Sequence, residues 1–319
     1  MTANKAMPDR SVLDWLVDSD PSIRWQVMRD LTDARPNVVA AERARIANEG
    51  WGAGLLALQT PEGSWGGDSA SSQWPTSPEW TCVVALVWLR DLGLDPSSEA
   101  ARRSVELVRD KVTWRWWDNH PFFVGEVEPC INGRVVMIGS YFGQDVERLV
   151  DRLLSEQMAD GGWNCEQENG STRGSFHTTI NVLEGLAEHE RVTGGTAESR
   201  AARLRGQEYL LKRRLLHRFS TGELVDPAFA QLSFPTGYHY DILRALDYLR
   251  GADALADERA AEAVRILASK RDAEGRWPLE NPHPDQLDVG VGETEGKPSR
   301  WITLRALRVL RSFEQRALG

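Results

Sequence analysis

Residues 153–186 read LLSEQMADGGWNCEQENGSTRGSFHTTINVLEGL, and this stretch decides the fold. It gives the end of one helix, a glycine-rich turn closed by Trp163, a polar loop, and a second amphipathic helix opening near Phe176. The same pattern occurs earlier, where Leu55, Gln59, Gly63 and Trp65 hold the relative places of Leu153, Gln157, Gly161 and Trp163. A third copy lies at Leu267, Gly275 and Trp277, with Arg271 where the glutamine stands in the others. One helical hairpin cannot bury its apolar face alone, so its repetition predicts a ring or solenoid.

Outward from that unit the chain reads as all-α. Residues 9–17 and 21–31 predict two short helices and 38–48 a third, ended by Gly50, so 1–50 form a helical lead-in. From residue 51 to 319 two kinds of helix alternate. Segments 80–92, 130–142, 176–193, 238–249 and 299–313 make an inner set; the first is apolar almost throughout, and a helix apolar on all faces is buried on all faces. Segments 97–111, 145–158, 198–216 and 257–270 make an outer set, 97–111 with Arg and Glu along one face. The loops before the inner helices are long and carry Gly, Pro, Trp and His, and long loops on one rim of a rigid scaffold are where sites are built.

Lys plus Arg number 38 against 47 Asp plus Glu, a net charge of −9. That acid excess argues against nucleic acid as a partner, since phosphate binding needs clustered cations. Three cysteines, Cys82, Cys130 and Cys165, are odd in number and far apart in sequence, which speaks against a disulfide framework and for a reducing compartment. The opening MTANKAMPDR has no apolar run of signal-peptide length, and no stretch is long enough to span a bilayer. The expectation is a soluble, cytoplasmic protein without integral membrane association, its oligomeric state open.

The Gln-x3-Gly-x-Trp repeats at 59–65 and 157–163 resemble the glutamine-tryptophan motifs of squalene and oxidosqualene cyclases and their relatives. That resemblance covers roughly residues 50–315 and implies a single α/α toroid, inner and outer helical rings around a cavity, with the glutamine amide stacked on the tryptophan and bonded to a neighbouring helix end. The cyclase chemistry is not implied: neither an Asp-x-Asp-Asp segment nor an Asp-Asp-x-x-Asp box occurs in the chain. A second resemblance is narrower. Phe176-His177-Thr178 followed by Leu183, Gly185 and Leu186 is similar to the segment of protein prenyltransferase β subunits whose histidine ligates zinc. Glu128-Pro129-Cys130 stands where that family has Asp-x-Cys.

In a toroid the first turns of the inner helices converge on one cavity mouth. Cys130, His177 and His239 are then the candidate zinc ligands, and Glu128, Asp241 and His239 the candidate catalytic groups, because zinc takes thiolate, imidazole and carboxylate and keeps a fourth position open in a catalytic site. Trp80, Trp116, Trp117, Asn132, Thr178, Tyr238, Arg300 and Trp301 are the candidate substrate-binding residues, with Trp74 beside Trp80; aromatic rings on a rim suit an apolar or cationic ligand. Each of these positions has a structural reading too: acids at helix starts are favoured by the dipole, and a cysteine there fills a core. The leading expectation is an enzyme performing zinc-assisted transfer or cyclisation on a partly apolar small molecule or peptide. A non-catalytic lipid- or terpenoid-binding toroid and a carbohydrate-active toroid, the latter needing two convergent carboxylates among Glu79, Glu126, Glu128 and Asp241, are the alternatives.

Overall fold

The computed structural model describes residues 9–66, 77–283 and 291–317. Among them the chain is all-α, the class expected of an α/α toroid. In order the helices are α1 (Arg10–Val17), α2 (Pro21–Leu31), α3 (Pro36–Ala44), α4 (Gly50–Ala57), α5 (Pro78–Leu92), α6 (Glu99–Lys111), α7 (Pro129–Tyr141), α8 (Glu147–Ser155), α9 (Phe176–Thr193), α10 (Ala197–Lys212), α11 (Ile242–Gly251), α12 (Ala261–Ser269) and α13 (Arg300–Ala317). The only ladder among the described residues pairs the two-residue strands β1 (Thr113–Trp114) and β2 (His120–Pro121), antiparallel. No helix among them is long and apolar enough to cross a membrane. Trp74 lies outside the described residues.

The chain divides into two compact units, one built on Ile46–Leu210 and the other on the described parts of Met1–Arg45, Leu211–Pro284 and Gly290–Gly319. In the first, Ser77, Ser98 and Ser175 cap α5, α6 and α9 by accepting the N–H groups of Trp80, Ala101 and Thr178. Gly93 and Gly194 end α5 and α9 in the left-handed conformation. Helices α5, α7 and α9 are buried on nearly every face, whereas α6 buries only Ala101, Ser104, Val105 and Val108 and α8 only Leu149, Val150 and Leu153. The alternation expected between inner and outer helices is present here.

The repeated residues explain how each hairpin is tied. Trp65, Trp163 and Trp277 each donate their indole N–H to the carbonyl ten residues earlier, of Leu55, Leu153 and Leu267, each at 2.7 Å. Gln59 Nε2 donates to Gly63 O (2.9 Å) and Ser104 O (3.0 Å), and Gln157 Nε2 to Gly161 O (2.7 Å) and Ala202 O (2.8 Å). The second acceptor lies within the body of α6 or α10 rather than at a helix end, so the amide uses the spare lone pair of a carbonyl already inside the helix. Gly161 is required twice: its φ is +91° and a Cβ there would stand 2.7 Å from the Arg205 carbonyl oxygen.

In the second unit α2 packs on α13, and α13 on α11. Arg308 Nη1 donates to Gln26 Oε1 and Asp30 Oδ2, both at 3.0 Å. Asp247 receives Arg250 at 2.8 Å and Arg305 at 3.1 Å, with Arg308 at 3.8 Å. Arg271 places its guanidinium over the Trp277 ring, 5.5 Å from the centroid.

Helices α8 and α12 are shorter than the expected 145–158 and 257–270, and three other boundaries differ from the sequence reading for local reasons. Gly50 begins α4 instead of ending the third helix, which gives way to a 3-10 turn at Arg45–Ala47. Helix α10 stops at Lys212 because Arg214 and Leu215 take positive φ, 48° and 65°. Helix α11 starts only at Ile242, where Asp241 is the N-cap.

Candidate functional site

Helix α7 starts with Pro129 at its first position, so one unpaired N–H is absent from the outset. Glu128 is the N-cap residue but makes no side-chain cap bond. Its carboxylate instead accepts the Cys130 thiol, with Sγ 3.4 Å from Oε2. Cys165 opens a 3-10 turn, Cys165–Gln167, whose cap Asn164 accepts Glu166 N–H and donates to Ser171 Oγ and Arg173 O. A bridge between Trp163 and Ser175 pins the base of this loop.

These two supports bring Cys165 Sγ to 3.0 Å from Cys130 Sγ, with Thr178 Oγ1 3.5 Å beyond. Glu128, Cys130 and Cys165 present one donor atom each, all within 4.8 Å of one another. The hydrogen bond with Cys165 and burial push the Cys130 thiol well above its ordinary range, and the Glu128 charge adds to the shift. Two soft sulfurs and a carboxylate are donor types that zinc takes.

The segment that carries Glu128 is held from two sides. Asn132 Oδ1 accepts Glu126 N–H (2.9 Å) and its Nδ2 donates to Glu126 O (2.8 Å), while Arg152 donates to the carbonyls of Glu126 and Val127. Glu126 is 2% exposed, and its Oε1 accepts Glu128 N–H at 2.6 Å. Burial raises its carboxyl to about 7, with the charge of Glu128 acting the same way, against hydrogen bonds from Glu128 and Val127 N–H and the Trp116 indole. Trp114 is fully buried, stacked on Phe122 at 5.2 Å, and presents Trp116 edge-on at 5.4 Å. Trp116 remains 38% exposed, an aromatic face beside the carboxyl it bonds. The neighbouring Arg115 pairs with the buried Glu79 at 2.7 Å.

Of the residues singled out in the sequence, Glu128 and Cys130 meet, and Asn132 and Thr178 adjoin them. Asn132 acts as the backbone clamp just described. His177 is not among the donor atoms that converge. It is Thr178, the next residue of α9 and about 100° further round the helix, that reaches Cys165, while the His177 carbonyl accepts from Asn181. Trp80 is buried beneath the Arg134 guanidinium at 5.8 Å, and Trp117 lies edge-on to His120 at 6.0 Å.

Tyr238, His239, Asp241, Arg300 and Trp301 belong to the other unit. His239 stacks on His283 (3.8 Å), and the Tyr238 ring lies tilted against it at 4.0 Å. Asp241 uses one carboxylate oxygen on Arg244 N–H and the other on Ser233 N–H, and burial raises its carboxyl despite nearby arginines. Arg300 lies over the Trp15 ring at 4.8 Å and donates to the carbonyls of Trp15 and Asp18, so its guanidinium is taken up at the end of α1. Trp301 stacks on Phe234 at 5.0 Å. Sequence reasoning left Cys165 out of the donor set, and gave Glu126 no more than a nominal place. The available signal was position: Cys165 follows the repeat tryptophan by two residues, in the loop that leads to the helix beside α7.

No protein-family model matches the chain, and no curated protein matches it. Among solved structures it is similar to the type II terpene cyclase MstE from Scytonema. For an apo tyrosine-to-phenylalanine variant the identity is 17% over 97% of this chain and 88% of that one, with a TM-score of 0.44. For an arginine-to-alanine variant in complex with geranylgeranyl dihydroxybenzoate, its substrate, the identity is 16% over the same shares, with a TM-score of 0.46.

Proposed function

We propose that this chain is an enzyme of the terpenoid cyclase and prenyltransferase-like class, which binds zinc through Glu128, Cys130 and Cys165 and acts on a partly apolar small molecule or peptide. The observation that carries the reading is the meeting of two thiols and a carboxylate within 4.8 Å at the start of α7. The repeats at 59–65 and 157–163 support the class.

Zinc held there would supply Lewis acidity toward a thiol, water or carbonyl. The chain's own residues do the rest. Asn132 and Arg152 fix the backbone of 126–128 and so aim Glu128 at the sulfurs. Glu126, buried behind them, holds or takes a proton, and the Trp116 indole orients its carboxyl. The half-exposed face of Trp116 offers an apolar substrate a flat contact. Both sulfurs must be reduced to bind metal, which fits a cytoplasmic setting.

Metal content of the purified protein tests this. Stoichiometric zinc is expected in the wild type, lost in Cys130→Ser and Cys165→Ser, weakened in Glu128→Gln, and retained in His177→Ala. Cobalt substitution should give a thiolate-to-metal absorption band that disappears with either cysteine. A wild type purified and reconstituted without uptake of zinc or cobalt ends the reading.

A further inference from the structure

The two sulfurs of the cluster are placed for a second fate. Cys165 Sγ stands 3.0 Å from Cys130 Sγ across 35 residues of sequence, and a disulfide needs about 2.0 Å. The remaining approach is of the order of one ångström, between a helix start and a loop tip that are each anchored independently. The third cysteine has no such neighbour: Cys82 is wholly buried in α5 and its thiol points at the Gly63 carbonyl, 3.6 Å away.

We propose that Cys130 and Cys165 are a redox-modification site, joined by an intramolecular disulfide when a peroxide reaches the cluster. Exposure sets the order of events. Cys165 is half-exposed and Cys130 is 8% exposed, so the oxidant meets Cys165 first. The Cys165 sulfur attacks one oxygen of the peroxide, whose O–O bond breaks; the sulfur is oxidised by two electrons to the sulfenic acid and the peroxide is reduced to water. The Cys130 sulfur then attacks the sulfenyl sulfur, the S–S bond forms, the S–O bond breaks, and hydroxide leaves. The Glu128 carboxylate, 3.4 Å from Cys130 Sγ, accepts the thiol proton and passes it to that hydroxide as water. In sum two thiols and one peroxide give one disulfide and two waters.

The consequence for metal rests on the proposed function: the sulfurs cannot be disulfide and zinc ligands at once, so oxidation empties the cluster and bound zinc protects it. The chemistry itself does not depend on zinc. Reduced, metal-free, full-length protein treated with hydrogen peroxide should therefore lose two of its three titratable thiols. Peptide mapping without reductant should join the Cys130 and Cys165 peptides with loss of two hydrogens, leave Cys82 free, and revert with dithiothreitol. Cys130→Ser should accumulate a sulfenic acid at Cys165 that dimedone traps.

Over-oxidation of Cys165 in the wild type while the Cys130 thiol survives, or cross-linking only between molecules, would overturn the proposal. A chain that forms the internal disulfide but takes up no zinc supports this inference and sinks the functional reading. A chain that takes up zinc but, once stripped of it, forms no internal disulfide does the reverse.

Discussion

The two units treat buried charge in opposite ways. Around α11 and α13, Asp247 is met by Arg250, Arg305 and Arg308, and its carboxyl is held well below the usual range by those arginines against burial. At the start of α7, Glu126 is met by backbone N–H groups and an indole, and burial carries it up to about 7. Glu126 is 2% exposed, and the Asp247 side chain keeps only 16% of its surface exposed. The first is part of a closed network in which every charge has an opposite, and it serves to fasten α2 and α11 to α13. The second lies beside two thiols and another carboxylate, and the guanidinium that reaches this segment, Arg152, is spent on the carbonyls of Glu126 and Val127 instead of on the Glu126 carboxyl. Incomplete neutralisation, more than burial, separates a place where chemistry or a cation is expected from one that only holds the fold together.

The largest effect should come from what the two units share. Trp163 and Trp277 are fully buried with the same indole bond. Replacing either by Ala should cost about 3–5 kcal/mol, from the cavity and the stranded carbonyl together. Chemical denaturation of both variants would break the comparison if one unit tolerated the loss and the other did not. Next comes Asp247→Asn, which removes the carboxylate that Arg250, Arg305 and Arg308 share, leaving Arg308 with Asp30, and should cost about 3 kcal/mol near neutral pH. The carboxyl's folded pKa lies below its unfolded one, so its stabilisation is present above about pH 4 and fades as pH falls below that. The variant's deficit should accordingly shrink in acid, read as converging melting temperatures.

How much of this was legible follows from the kind of information involved. The hairpins were, since three tryptophans at equal offsets and fully apolar helix faces are local signals; α9 runs over the residues expected, 176–193. Glu128 and Cys130 were legible as a helix start. Cys165 was not, because its meeting with Cys130 depends on how Asn164 folds a loop that has no periodicity to read. Arg300 misled for a related reason: nothing local says that its guanidinium rests on Trp15, some 285 residues away in sequence.

Glu126 provides the opposite pH signature. Its carboxyl is raised in the folded protein, so the folded state binds the proton more tightly and stability is lost as pH rises from about 4.5 to about 7. In metal-free protein Glu126→Gln, which keeps an acceptor for Glu128 N–H, should be more stable than wild type at pH 8 by on the order of 2 kcal/mol and close to it at pH 4. At pH 8 thermal melts of Glu126→Gln and Asp247→Asn should depart from wild type in opposite directions, and at pH 4 the Glu126→Gln departure should be gone. Parallel shifts would remove the distinction drawn between the two units.

The smallest effect tests the one place where the repeats differ. Gln157 Nε2 donates to two carbonyls, of Gly161 and Ala202, so Gln157→Leu should cost about 1–2 kcal/mol and Gln59→Leu a similar amount. Arg271 holds the same sequence position but contacts the Trp277 ring face, an interaction of about 0.5–1 kcal/mol at a partly exposed site. Arg271→Leu should therefore be the mildest of the three. An Arg271 variant as damaging as the glutamine ones would mean that the third hairpin is tied to its unit through that side chain as strongly as the other two. The ring contact would then not be its main role, and its cost in high salt, which weakens an ionic tie and spares a buried amide bond, would show which kind of tie it is.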